Sequence, residues 1–259
     1  MIKKTFQFLK KYFSALFGSL YLFTFGILSA RHRAFLLIIA EHFGYREGPS
    51  LPPAILPEFS PDAIIAGVPI TLVESVKADG NVTELELIVL AAAVQKKGAS
   101  RCFEIGTFDG RTALNLALNS PENALIYTLD LPPEAHSRRE GASDDIKFVG
   151  IANVGRRFKG TPYASKIIQM WGDSATFDYS PYEHKMDLVF IDGSHHYNHV
   201  LSDTKNAMRM TKPGSIIFWH DYGGICEGVT RALNNFYKEE KEFKNLKRIA
   251  GTALVYLER

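Results

Sequence analysis

The sequence predicts an α/β protein built on a mainly parallel sheet that is closed by an antiparallel hairpin, and three observations carry that expectation. Short apolar runs recur at Cys102 to Ile105, Ala124 to Asp130, Lys166 to Trp171, Met186 to Ile191 and Ser215 to Trp219. Continuous apolar runs of this length mark strands buried on both faces. Stretches with helical spacing follow the first and the fourth of them, as crossover connections between parallel strands require. The chain then finishes with Leu246 to Ala250 and Ala253 to Glu258 around Gly251-Thr252, a connection too short for anything but antiparallel pairing.

Length and composition set the bounds. A chain of 259 residues holds one large domain with an appendage, and 46% hydrophobic with 22% charged residues excludes both disorder and a disulfide scaffold. The net charge of +2 gives no electrostatic case for a nucleic-acid partner. Two cysteines, Cys102 and Cys226, fit a reducing compartment such as the cytoplasm. Neither belongs to a C-x-x-C pair, so a cysteine metal site is not expected.

Taken in order, residues 1–47 form an apolar N-terminal segment. Lys3, Lys4, Lys10 and Lys11 precede the uncharged stretch Tyr12 to Ala30, and Arg31 and Arg33 follow it. About nineteen residues match a bilayer's hydrocarbon thickness, while Ser14, Gly18, Ser19, Thr24, Gly26 and Ser29 dilute the hydrophobicity. Two readings stand: membrane attachment, or a helical pair with Ala34 to Phe43 that packs on the main domain or on a partner subunit. Residues 48–80 are a linker rich in proline, at Pro49, Pro52, Pro53, Pro57, Pro61 and Pro69. The main domain is expected over residues 81–259.

That domain starts with a helix whose Thr83 and Glu86 have capping-box spacing, and Gly98 ends it. The first strand ends at Glu104-Ile105 and passes through Gly106 and Gly110 into the helical run Thr112 to Leu118. Glycines there allow positive φ and close approach of a ligand to the backbone, and the helix start offers open N–H groups. The second strand ends on Asp130, about twenty residues on, where dinucleotide folds place a carboxylate on the ribose hydroxyls. An adenosine-type ligand follows from that spacing. Leu131 to Lys166 reads as a partly helical insertion over the ligand, in which Arg156 and Arg157 are either a solvated basic pair or a contact for an anionic substrate. The third strand runs into Gly172-Asp173-Ser174, the fourth into Asp192, and the fifth into His220-Asp221. Helices are expected at His199 to Met210 and after Gly228.

Phe103 to Gly110, Asp130, Gly172-Asp173-Ser174, Phe190 to Tyr197 and Trp219 to Tyr222 together resemble a class I S-adenosylmethionine-dependent methyltransferase, of the branch carrying "IDGxHxY" and "HDY". The resemblance runs from about Thr83 to Glu258. It implies a Rossmann-like, doubly wound, seven-stranded sheet and S-adenosylmethionine as cofactor. Glu104, Gly106, Thr107, Gly110, Asp130, Asp173, Ser174 and Asp192 would bind that cofactor. It further implies methylation of a hydroxyl on a small molecule or sugar.

Methyl transfer from a sulfonium needs a held cofactor, an aligned nucleophile and removal of its proton. Asp192, His195 and His220 are the candidate catalytic residues, His195 being the better placed base, while His196 is either functional or a packing residue at a helix start. Asp192, His220 and Asp221 also form a candidate set for a divalent ion at adjacent strand ends. A histidine in place of an oxygen ligand suits a softer ion than magnesium, and metal-free acid–base chemistry is the alternative. Two other functional readings remain: a nicotinamide-dependent oxidoreductase, disfavoured by the missing G-x-G-x-x-G, and a scaffold that binds the cofactor without turnover.

Overall fold

The structure is a computed structural model, and it describes residues 2–29, 32, 33, 36, 39, 51–78, 80–132, 154–224 and 226–259. The chain divides into two compact units, Met1–Leu51 and Pro52–Arg259. In the first, helix α1 spans Ile2–Thr24 and a short 3-10 turn follows at Gly26–Leu28. No helix among the described residues is long and apolar enough to cross a membrane. The expected second helix, Ala34 to Phe43, lies almost wholly outside the described residues.

The second unit is built on one sheet of eight strands: β1 (Glu58–Phe59), β2 (Arg101–Ile105), β3 (Leu125–Asp130), β4 (Ile167–Trp171), β5 (Met186–Ile191), β6 (Thr211–Trp219), β7 (Lys247–Ile249) and β8 (Val255–Glu258), in the order β1-β7-β8-β6-β5-β2-β3-β4. Strands β2 to β6 run parallel, and β8 lies antiparallel between β6 and β7. The expected mainly parallel sheet with its closing hairpin is therefore present, with one strand more than the seven expected. The extra strand is the two-residue β1, in which the proline-rich stretch pairs parallel with β7 at the sheet edge.

Alternation along the buried strands explains the double winding. Cys102, Leu188, Phe190, Ile216 and Phe218 pack with helices α3 (Glu84–Lys97) and α4 (Arg111–Leu118) on one face. Phe103, Ile105, Val189, Ile191, Ile217 and Trp219 pack with α5 (Tyr197–Met210) and α6 (Glu227–Glu239) on the other. Successive side chains of a strand point to opposite faces, so a strand covered on both sides reads as an unbroken apolar run. The one-turn helix α2 (Asp62–Ile65) adds Ile64 to the first face. Strand β6 starts earlier than Ser215, because Thr211 pairs with Met186 and a register shift takes in Lys212-Pro213-Gly214. A proline at such an irregularity costs no ladder hydrogen bond.

Outside the short β1 pairing, the stretch from Pro52 to Val82 is strapped down by side chains. The Tyr222 hydroxyl accepts the N–H groups of Ile55 and Leu56, and Asn234 donates to the Pro53 carbonyl. Asn115 and Asn119 each exchange both amide bonds with the backbone, of Val73 and Thr71 respectively. Arg111, 1% exposed, donates to the carbonyls of Glu74, Ser75 and Val82. The linker expected from the prolines is thus extended, and it is fixed along the domain.

Candidate active site

The carboxyl ends of β2, β3, β5 and β6 bring the candidate residues to one edge. The glycine turn after β2 is bound together by its own polar groups. Asp130, at the end of β3, accepts the N–H groups of Thr107, Phe108 and Leu131 at 3.1, 2.8 and 2.7 Å. The Thr107 hydroxyl meets that of Thr128 at 2.7 Å, and Thr128 in turn donates to Glu104. Glu104 is 1% exposed, and burial, with Asp192, Asp130 and Asp109 nearby, pushes its carboxyl well above the usual range despite the Thr128 bond. It lies in the floor of the turn and is not presented at the surface.

Gly106 shows why this turn needs glycine. Its φ is +99°, and a Cβ there would stand 2.0 Å from the Asp192 carbonyl oxygen. The close approach is made by the end of β5 and not by an open ligand channel. Gly110, at φ +85°, caps α4 and faces Phe158 and Gly155. Arg157 corrects the expectation of a solvated pair or a substrate contact. It bonds Asp109 at 2.6 Å and Glu74 at 2.7 Å, so it pins the segment around Gly155 onto the turn. Arg156 is exposed, with Asp109 at 3.8 Å. The rest of the expected insertion falls on 133–153, outside the described residues.

Asp173 starts a turn after β4 and accepts the Ala175 N–H. Ser174 donates to Asp203 at 3.3 Å. Asp203 is fully buried, with one carboxyl oxygen lacking a hydrogen-bond partner. Burial outweighs the Ser174 bond, and with Asp173 nearby it raises the Asp203 carboxyl to about 7.

The densest charge cluster sits at the ends of β5 and β6. His220 Nδ1 lies 3.0 Å from Asp192 and 3.4 Å from Asp221, and its Nε2 lies 3.2 Å from Glu86. Burial alone would lower this imidazole's pKa, yet Asp192, Asp221 and Glu86 raise it well above its ordinary value. The three carboxylates thus favour the charged form of the ring. Glu86, 2% exposed, is held down to about 2 against its own burial by His220 and by the N–H groups of Ala253 and Thr83. His195 Nε2 meets the same oxygen of Asp221, Oδ2, at 2.7 Å. Asp221 has φ +62°, uncommon for a residue with a side chain, and the two histidines hold its carboxyl well below the usual range against burial.

His195 owes its place to Gly228, where a Cβ would stand 2.1 Å from the His195 carbonyl oxygen. A glycine there lets α6 close on the loop that carries His195. His196 stands at the N-cap of α5 without a side-chain capping bond, and its ring lies 6.2 Å from that of His199. A narrow cleft runs between Asp192, Ser194, His195, His220, Asp221 and Val229. A wider surface recess, among Ser100, Arg101, Tyr182, Lys185 and Lys212, lies at the amino ends of the strands, away from these acids.

The cluster fits a divalent ion. One ligand atom each from Asp192, His220 and Asp221 lies within 4.8 Å of the others. A ligating histidine commonly donates its second N–H to a carboxylate, which is the relation of His220 Nε2 to Glu86. His195, Asp221 and Cys226 form a second group of ligand atoms within the same span. Sequence reasoning missed Glu86 and Cys226 as site residues. The capping box that located Glu86 gave no sign that its carboxylate reaches across the sheet.

Comparison with known proteins accords with this geometry. A family model for a methyltransferase domain matches residues 103–222. No curated protein sequence matches the chain. Among solved structures, the O-methyltransferase TomG of Streptomyces achromogenes, in complex with S-adenosylmethionine, is similar with a TM-score of 0.52 at 16% identity, over 76% of this chain and 95% of that one. A methyltransferase of Podospora anserina bound to S-adenosylhomocysteine gives 0.51 at 12% identity, over 70% and 80%. At such identities the likeness is one of fold.

Proposed function

We propose, from the premise that residues 103–222 are a methyltransferase domain, that the chain is an S-adenosylmethionine-dependent methyltransferase acting on a hydroxyl of a small molecule or sugar. The observation that carries the reading is the cluster of two histidines and three carboxylates at the ends of β5 and β6, next to the glycine turn. The turn after β2 lacks the G-x-G-x-x-G spacing that a nicotinamide oxidoreductase of this fold class uses.

In this reading Thr107, Gly106 and Gly110 form the wall against which the cofactor lies. Asp130 orders that wall through three N–H bonds, and it stands at the strand end where dinucleotide folds place the carboxylate that meets the ribose hydroxyls. Asp173 and Ser174 line the adenine end. The sulfonium is already reactive, so acceleration comes from alignment and from taking the acceptor's proton. His195 takes that proton, and Asp221 orients its ring and stabilises the imidazolium that forms. Without an ion, His220, whose charged form Asp192, Asp221 and Glu86 favour, acts on the site's electrostatics and on the position of Asp192. Asp192, His220 and Asp221 are the residues that would hold a divalent ion, which when bound would lower the pKa of an acceptor hydroxyl.

Calorimetric titration of the purified protein with S-adenosylhomocysteine, with and without added magnesium or manganese, tests the reading. Saturable binding is expected, and heat from the metal alone that disappears in an Asp192→Asn variant would assign the ion. A folded protein that binds NAD and not S-adenosylhomocysteine would overturn it.

A further inference from the structure

Helix α1 separates its residues by chemistry. Leu9, Phe13, Leu16, Phe17 and Leu20 recur at intervals of three and four and so share one face. All five are open to solvent, at 44, 50, 43, 67 and 55% exposure. Lys11, Ser14 and Gly18 fall on the opposite side by the same spacing, and Lys10 flanks the apolar face beside Phe17. The charge is one-signed as well: the first acid of the sequence is Glu41, whereas Lys3, Lys4, Lys10, Lys11, Arg31 and Arg33 precede it.

An apolar face this exposed needs a cover. The basic face opposite it, and the absence among the described residues of a helix fit to span a bilayer, say which. A spanning helix is apolar all round, whereas one with a basic side lies in the membrane interface, its aromatic and aliphatic side chains in the acyl boundary and its lysines among the headgroups. Ser19 and Thr24 bond back to the carbonyls of Ala15 and Leu20, so their hydroxyls add no demand for water along the helix.

We propose that α1 is an in-plane anchor that binds the surface of an anionic lipid bilayer. The proposal stands on α1 alone and does not depend on the methyltransferase reading.

The test is sedimentation of the full chain with vesicles of phosphatidylcholine, with or without phosphatidylglycerol. Binding to the anionic vesicles should be about ten-fold tighter or more, and should weaken as salt is raised. Phe13→Glu with Phe17→Glu should abolish binding to both kinds of vesicle, and Lys10→Glu with Lys11→Glu should remove the preference for the anionic kind. Thermal melting and S-adenosylhomocysteine titration of the same preparations show whether the second unit is intact, so a failed anchor is distinguishable from a failed enzyme assignment. Equal, salt-independent binding to both vesicles would overturn the proposal, as would no binding at all. Self-association that Phe13→Glu with Phe17→Glu abolishes, without any vesicle binding, would replace the bilayer with a second copy of the chain.

Discussion

The glycine turn and the β5/β6 edge both gather acids at strand ends, but they settle their charge in opposite ways. At the turn, polar groups satisfy one another: Asp130 takes backbone N–H groups, and the buried Glu104 accepts from Thr128, its carboxyl pushed up. At the β5/β6 edge, Glu86, Asp192 and Asp221 crowd two histidines, and the result is one imidazole pushed above its ordinary value and two carboxyls held far below theirs. Buried charge of that kind costs free energy unless it is paired, and pKa values displaced in a cleft are a mark of function. In the proposed reading the turn holds the cofactor and the edge carries the chemistry.

The largest expected effect lies where the two regions touch. Gly106→Ala places a Cβ against the Asp192 backbone at positive φ. We expect a loss of about 4 kcal/mol or more, read by urea denaturation. Near-normal stability would show that the turn and the edge are not locked together.

Next comes the charge relation itself. Glu86 is depressed to about 2 from 4.5, so its contribution is present above about pH 4.5 and is lost as the pH falls toward 2. His220 is raised above 6.5, so its share is complete below about pH 6.5 and fades as the pH climbs through the raised value. The pair thus stabilises most between about pH 4.5 and 6.5. Glu86→Gln should cost about 2 kcal/mol in that window and progressively less toward pH 2, in denaturation curves taken across the range. A loss independent of pH would reduce Glu86 to a helix cap.

The smallest effect belongs to the turn. Asp130→Ala should weaken S-adenosylhomocysteine binding by about 1–3 kcal/mol through lost charge-assisted hydrogen bonds. Unchanged affinity would remove Asp130 from the cofactor site.

What the sequence made legible follows the same division. The parallel strands were legible because burial on both faces leaves unbroken apolar runs, and the hairpin because Gly251-Thr252 admits one pairing. The capping box of Thr83 and Glu86 is formed as its spacing predicts. Hidden were contacts between side chains far apart in sequence. Glu86 meets His220 134 positions away, and Arg157 reaches Glu74 across 83. The asparagines of α4 that hold Thr71 and Val73 look like ordinary helix residues in the sequence. Local pattern reports which element a residue joins, and it carries no information on which distant backbone that residue will clamp. The Pro-rich stretch shows both sides of this. Proline predicted its extended course, while its pairing as β1 depended on β7 nearly two hundred residues later.

The division of labour is tested most directly by measuring His195→Gln in two ways, by methyl transfer to a small hydroxyl acceptor and by calorimetric titration with S-adenosylhomocysteine. The account predicts turnover reduced by about 10²-fold or more, with cofactor affinity unchanged. Normal turnover, or turnover and affinity falling together, would contradict it.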